Sequence, residues 1–320
     1  MEIEIKDIFE YKLKSGLFGV AIGDALGVPV EFKTRDYLRK NPVLDMMGFM
    51  CWHQPPGTFS DDSSLTFCTA ESLCKGFDIE DMAVTFVKWM EEGYWGAHHR
   101  VFDIGGTTRH SLARVLKGEP ARTSGNFFEE DNGNGSLMRI LPLVFYLQKE
   151  NDVEVIYKKV KEVSSITHAH FRSVFACFLY VIYCLEILKG IDKIDAYSNM
   201  QRIVSDFLSD KKFNPIEIQL FDRILKNSIA RYPENEIESS GYVLHSLEAS
   251  LWCFLNWNTY EETVLKAVNL GGDTDTTAAI TGGLAGIYYG MDNIPQKWIA
   301  TLARKNDIDD LCERLSFKLK

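Results

Sequence analysis

The stretch Asp78-Ile79-Glu80-Asp81-Met82-Ala83-Val84-Thr85-Phe86-Val87-Lys88-Trp89-Met90 sets the fold class. Its apolar residues Ile79, Met82, Ala83, Phe86, Val87 and Met90 recur at the spacing of one helical face, and Asp78 stands where a side-chain oxygen caps a helix start. The same signature predicts helices over 64–75, 107–117, 171–189, 242–257, 260–268 and 275–289. No run sustains the period-two alternation of a half-buried strand, so the expectation is an all-α protein. Pro29, Pro55, Pro56, Pro142 and Pro295 fall at or near expected helix ends, where proline is tolerated. No Gly/Ser linker or low-complexity tract divides the chain, which predicts a single domain over 1–320. Residues 189–238 carry the weakest pattern and are read as a variable insertion or lid.

Composition bounds the rest. The 320 residues are 46% hydrophobic, enough for a substantial core, and the 25% charged fraction is ordinary for a folded domain. A formal net charge of −10 disfavours nucleic acid as a partner, since the surface repels phosphate backbones. A small anion needs local help from metals or helix starts to bind. The seven cysteines, Cys51, Cys68, Cys74, Cys177, Cys184, Cys253 and Cys312, are odd in number and contain no C-x-x-C pair, so they read as reduced core thiols of a cytoplasmic protein. The charged opening Met1-Glu-Ile-Glu-Ile-Lys-Asp-Ile8 has no signal-peptide core. Val174–Leu185 is the most apolar run, but its twelve residues are too few to span a bilayer. A monomer without membrane association is expected.

Two acidic segments carry the chemistry. In Gly57-Thr58-Phe59-Ser60-Asp61-Asp62-Ser63-Ser64, two adjacent carboxylates repel each other unless a cation sits nearby. A capped helix N-terminus explains the same residues blandly. The segment Asn269-Leu270-Gly271-Gly272-Asp273-Thr274-Asp275-Thr276-Thr277 places two carboxylates and a hydroxyl at one helix mouth, again compatible with plain capping after a Gly-Gly turn. Taken together they are a set of hard oxygen donors that suits Mg²⁺ or Mn²⁺ and lacks the His and Cys ligands of zinc. If the two segments meet, they can hold two cations that orient a diol and acidify a water.

These segments and their surroundings resemble the ADP-ribosylglycohydrolase family, most closely the dinitrogenase reductase-activating branch that acts on ADP-ribosyl-arginine. The resemblance rests on Gly19-Val-Ala-Ile-Gly23-Asp24-Ala25-Leu26-Gly27-Val-Pro-Val-Glu31-Phe32, on Phe59–Ser63 and on Phe102-Asp103-Ile104-Gly105-Gly106-Thr107-Thr108. It continues through Gly133-Asn134-Gly135-Ser136-Leu137-Met138-Arg139, Thr167-His168, Gly241-Tyr242-Val243, Leu247–Trp252 and Gly271–Thr276, in that order over nearly the whole chain. It implies an orthogonal multi-helix domain with two divalent cations, Mg²⁺ or Mn²⁺. Ser60, Asp61, Asp62, Asp273, Asp275 and Thr276 map to the metal shell. Ser60 and Ser63 stand where threonine is frequent and keep the hydroxyl. Thr274 replaces a frequent alanine and is not expected to coordinate.

Glu31 and Asp61 map to catalytic positions, and a carboxylate at 31 suits a reaction with oxocarbenium character that needs a proton handled. A solvated glutamate at a helix end is the plain reading of Glu31. Gly133, Asn134, Gly135 and Ser136 are expected to offer N–H groups to a diphosphate as a Gly-rich helix start does, or else to form a simple turn. His168 is expected near the phosphates or ribose and Tyr242 near the adenosine, against the alternatives of a structural histidine and ordinary helix packing. Asp103 stands where the branch places the target guanidinium, which a carboxylate pairs well; otherwise it caps the next helix. Arg109 and Arg139 are read as structural.

The resemblance therefore implies a hydrolase that removes ADP-ribose from a modified protein or small molecule, arginine first and serine or a small-molecule conjugate second. A catalytically inactive binding or structural relative, and a different Asp-rich metal hydrolase such as a nucleotide phosphohydrolase, are the competing readings.

Overall fold

A computed structural model describes residues 7–320, and among these there is no β-strand, only two isolated bridges, Asn126 with His168 and Gly133 with Tyr242. The all-α expectation holds. The predicted helices appear at Asp61–Leu73, Ile79–Glu92, Gly106–Leu116, Phe171–Leu188, Val243–Asn256, Tyr260–Val268 and Thr274–Tyr289. Asp78 caps as its position predicts, accepting from the N–H groups of Glu80 at 2.9 Å and Asp81 at 3.3 Å. Gly93, at φ 70°, closes the other end of that helix in the left-handed conformation that glycine adopts without steric cost.

The centre of the fold is a pair of helices, Ile8–Gly27 and Thr274–Tyr289, in backbone contact along much of their length. A Cβ placed on Gly19 would lie 2.2 Å from Gly282 O, one on Gly23 2.0 Å from Ala278 O, and one on Gly286 2.1 Å from Ser15 O. Only glycine lets the axes come this close, which explains why both segments tolerate residues that weaken isolated helices by roughly 1 kcal/mol each relative to alanine. Buried hydroxyls tie the seam to its neighbours: Tyr260 Oη donates to Gly19 O and Tyr180 Oη to Ile280 O, each at 2.9 Å.

Around this seam pack Asp61–Leu73, Phe171–Leu188 and Val243–Asn256, whose apolar residues are almost all fully buried. The Val174–Leu185 run lies inside an eighteen-residue helix, Phe171–Leu188. That helix and Ile8–Val30 are long and apolar enough to cross a membrane by composition, yet 83% and 94% of their apolar windows are buried inside the protein. All seven cysteines are free.

The weakly patterned 189–238 region is structured. Its longest element, Lys193–Ser209, packs Met200, Val204 and Phe207 into the core, and Phe221, Ile224 and Ile229 follow. Arg35 fastens the end of the region by donating to Glu234 O at 2.6 Å and Ile237 O at 2.5 Å.

Candidate active site

The glycine seam ends at the acidic segments. Gly27 abuts Asp275, where an added Cβ would stand only 2.4 Å from Asp275 Cα, and Thr274 Oγ1 donates to Gly27 O at 2.9 Å. Thr274 thereby ties its helix start to the end of the first helix. Upstream, Gly271 and Gly272, both at φ 76°, form a turn that pairs with the loop after the first helix. Phe32 N donates to Gly272 O and Gly272 N to Lys33 O, both at 2.8 Å. This clamp sets Glu31 beside Asp273.

The two acidic segments converge, although more than two hundred residues separate them. Thr276 Oγ1 donates to Asp62 Oδ2 at 3.3 Å, and Ser60 Oγ donates to the same oxygen at 2.9 Å. One oxygen from each of Asp24, Asp62 and Asp275 lies within 4.8 Å of the other two, and the same holds for Glu31, Asp273 and Asp275. Asp275 belongs to both groups. The carboxylates do not serve as helix caps. Ser60 supplies the cap of Asp61–Leu73, and Asp273, at the cap position of Thr274–Tyr289, makes no side-chain capping bond.

The donor set fits divalent cations by a test internal to the protein. Asp62 Oδ1 and Asp275 Oδ2 are buried and accept no hydrogen bond. A buried ionised oxygen without a partner is costly, and a hard cation is the partner that such oxygens match. Burial and mutual repulsion push the carboxyls of Asp61, Asp62 and Asp275 well above the ordinary range. Glu31 is pushed up to about 9, first by burial and then by the charge of Asp103, and Asp103 itself to about 6. Glu31 is 3% exposed, so it is no solvated helix-end residue, and Trp52 Nε1 holds its Oε2 at 2.5 Å.

These groups open onto a cleft of about 260 Å³. It is lined by Glu31, Phe32, Asp61, Asp103, Gly133, Asn134, Gly135, His168, Asp273 and Thr276, and also by Gly105–Thr108 and Gly241. Asp103 is not a helix cap; Gly105 holds that position, and Asp103 sits at φ 53° in the cleft wall. His168 is buried and neutral, its basicity pushed down to about 3 by desolvation, with Nδ1 2.7 Å from Thr167 Oγ1. Its ring forces a glycine at 135, where a Cβ would come 2.8 Å from His168 Cε1.

Residues 133–136 form a bridge to Tyr242, a bend and a turn, not the helix start expected for anion binding. Asn134 N is taken by Gly241 O at 3.0 Å, which leaves it no donor for a phosphate; its side chain instead donates to Asp273 Oδ2 and Ser246 Oγ, each at 2.8 Å. The Ser136 side chain faces the core, where Ser164 Oγ donates to it at 2.9 Å. Tyr242 does not line the cleft. Its ring packs edge-on against His245, centroids 5.0 Å apart, and only its neighbour Gly241 reaches the wall. Arg139 is structural as expected. Fully buried, it donates to Gly135 O and Val163 O and props the 133–136 turn from behind.

Two residues of the site escape a reading of the acidic segments alone. Asp24 is fully buried and accepts from Ser60 N at 2.9 Å, from Ser63 N at 3.0 Å and from Ser63 Oγ at 2.5 Å. It pins the 60–63 segment to the glycine seam. Its charge inside the otherwise apolar run Gly16–Gly27 is the signal that marks it. Trp52, in a loop, carries no such signal.

Comparison with known proteins places the chain among relatives. A family model described as ADP-ribosylglycohydrolase matches residues 6–319. The chain is 34% identical to ADP-ribosylarginine hydrolase Tri1 of Serratia proteamaculans over 96% of its own length and 79% of that protein's. It is 29% identical to the ADP-ribosyl-[dinitrogen reductase] glycohydrolase of Rhodospirillum rubrum, covering 90% and 88% of the two chains. A solved structure titled ADP-ribosylglycohydrolase-related protein complex superposes with a TM-score of 0.80 at 29% identity, covering 98% of this chain and 99% of that one. With its acid cluster at the end of a glycine seam and a family match from end to end, the chain belongs to the ADP-ribosylglycohydrolase family.

Proposed function

We propose that this protein removes ADP-ribose from modified arginine side chains of proteins. We further propose that it does so as a cytoplasmic monomer of one domain that holds two divalent cations, Mg²⁺ or Mn²⁺. The observation that carries the reading is the pair of unpartnered oxygens, Asp62 Oδ1 and Asp275 Oδ2, where two acidic segments meet beside a cleft. The names of the relatives supply the arginine acceptor.

Asp61, Asp62, Asp273 and Asp275, with the Ser60 and Thr276 hydroxyls, are the residues that would hold the cations. When bound, such ions supply positive charge that orients a ribose diol and acidifies a water. The chain's own groups do the rest. Gly133, Gly135 and the wall around His168 seat the diphosphate side. Neutral His168 adds no charge there and can offer a hydrogen bond. Asp103 pairs with the guanidinium of the acceptor. Glu31 handles the proton that leaves the attacking water and ends on the departing guanidine nitrogen as the C–N bond to ribose breaks. Asp24 and Trp52 are positioning residues, the first for the 60–63 segment and the second for Glu31.

The test is release of free ADP-ribose from an ADP-ribosyl-arginine peptide, followed by chromatography. Release in Mg²⁺ or Mn²⁺, its loss in chelator, and its loss in Asp61→Asn are expected. No release with either ion, or full activity in Asp61→Asn, would sink the proposal. Parallel reactions with ADP-ribosyl-serine peptide and simple nucleotides separate the other acceptor classes.

A further inference from the structure

Phe32 presents an aromatic ring that the fold does not need. The residue is 68% exposed while lining the cleft, and its backbone sits at φ 64°, a left-handed conformation that costs free energy in a non-glycine residue. The bond from Phe32 N to Gly272 O holds the residue in that state. Burial offsets neither cost. The ring belongs to a short aromatic series: it lies 6.5 Å from the Trp52 ring, which lies 5.6 Å from that of Phe102. Trp52 is fixed in turn by its bond to Glu31, and Phe102 immediately precedes Asp103. An aromatic surface and a carboxylate thus flank the same mouth of the cleft.

An aromatic face beside a carboxylate suits one acceptor chemistry above the others, a planar cation. The carboxylate takes the N–H groups and the ring takes the delocalised charge. A serine hydroxyl gains nothing comparable from the ring. We propose that Phe32, backed by Trp52, is a specificity-determining residue that holds the acceptor guanidinium by a cation–π contact. This rests on the arginine reading above.

The experiment compares the wild type with Phe32→Leu, which keeps apolar bulk without the ring, and Phe32→Trp, which keeps a ring. Two quantities are measured with Mg²⁺ present: KM for an ADP-ribosyl-arginine peptide, and the calorimetric Kd of free ADP-ribose, which has no acceptor. Phe32→Leu is expected to raise KM about 3- to 30-fold, with the Kd of ADP-ribose held within about twofold and Phe32→Trp near wild type. An unchanged KM in Phe32→Leu, or an equal loss of ADP-ribose affinity, overturns the inference while the proposed function stands. A wild-type protein that releases no ADP-ribose from the arginine peptide overturns the proposed function, and this inference with it.

Discussion

The glycine seam and the carboxylate cluster share the helices Ile8–Gly27 and Thr274–Tyr289, with Asp62 joining the cluster from Asp61–Leu73, yet they obey opposite rules. Along Gly19, Gly23, Gly282 and Gly286 the backbones touch, the Tyr260 hydroxyl is paired with Gly19 O, and packing leaves no room for one added carbon. At the end of the seam, Asp24, Asp62 and Asp275 crowd together, two oxygens lack partners and the acids are held away from their ordinary ionisation. The seam stabilises; the cluster costs stability. The close packing of the first makes the second possible, because like charges hold together only where the backbone cannot retreat.

The cluster is the more sensitive of the two regions. Asp275→Asn removes the residue shared by both acidic groups, and its hydrolytic activity is expected to fall at least about 10³-fold, the scale of losing a principal electrostatic group. In chelator the same variant should unfold at a higher temperature than the wild type, since a buried repulsive charge is gone. Loss of activity together with lower stability would show that Asp275 is a structural acid instead.

At the seam the signs reverse. Gly23→Ala places a Cβ 2.0 Å from Ala278 O, a backbone atom that cannot rotate away, so the helices must part. Denaturant unfolding should report a loss of about 3 kcal/mol. Activity should fall too, because Asp24 and Asp275 ride on the separating helices. A neutral Gly23→Ala would contradict the packing account.

Asp24 is raised from 3.8 to about 6 by burial, against the hydrogen bonds from Ser63 and Ser60, and Glu31 is raised from 4.5 to about 9. Between the ordinary and the raised values the folded chain binds more protons than the unfolded one, so folding stability must fall as pH rises. In chelator, the thermal midpoint should decline from about pH 4 toward pH 9. Divalent cations require the ionised acids, so the stabilisation they give should grow over the same window. A thermal midpoint that rises with pH in chelator would count against the burial described for these groups.

The smallest expected effect is that of Trp52→Phe, which deletes the donor to Glu31 Oε2 but keeps a ring. That hydrogen bond holds the Glu31 ionisation down, so its removal should shift the pH–rate profile upward and lower kcat/KM about tenfold. An unshifted profile would leave Trp52 as packing alone.

Much of the fold and the site is legible in the residues. Periodicity locates the main helices because each buries one face, and that repeat is local. The acidic segments are visible because paired carboxylates with hydroxyls are unusual in any run of sequence. What periodicity does not reveal is partnership. Asp24 reaches across to Ser60 and Ser63, and Asn134 to Asp273, through contacts that only the tertiary fold creates. Similarly, the sequence around Gly133–Ser136 is as compatible with a helix start as with the turn it forms, and the choice is made by the bond from Asn134 N to Gly241 O and by Arg139 beneath. Tyr242 and Ser136 sit in the right segments with their side chains turned away from the cleft, a distinction of one bond rotation that no motif encodes.

The most direct test of the central claim is anomalous scattering from crystals grown with Mn²⁺. The account predicts two strong peaks within coordination distance of Asp62, Asp273 and Asp275, on the side where Asp62 Oδ1 and Asp275 Oδ2 have no protein partner. Mn²⁺ bound elsewhere, or no peak between the two segments at saturating metal, would contradict it.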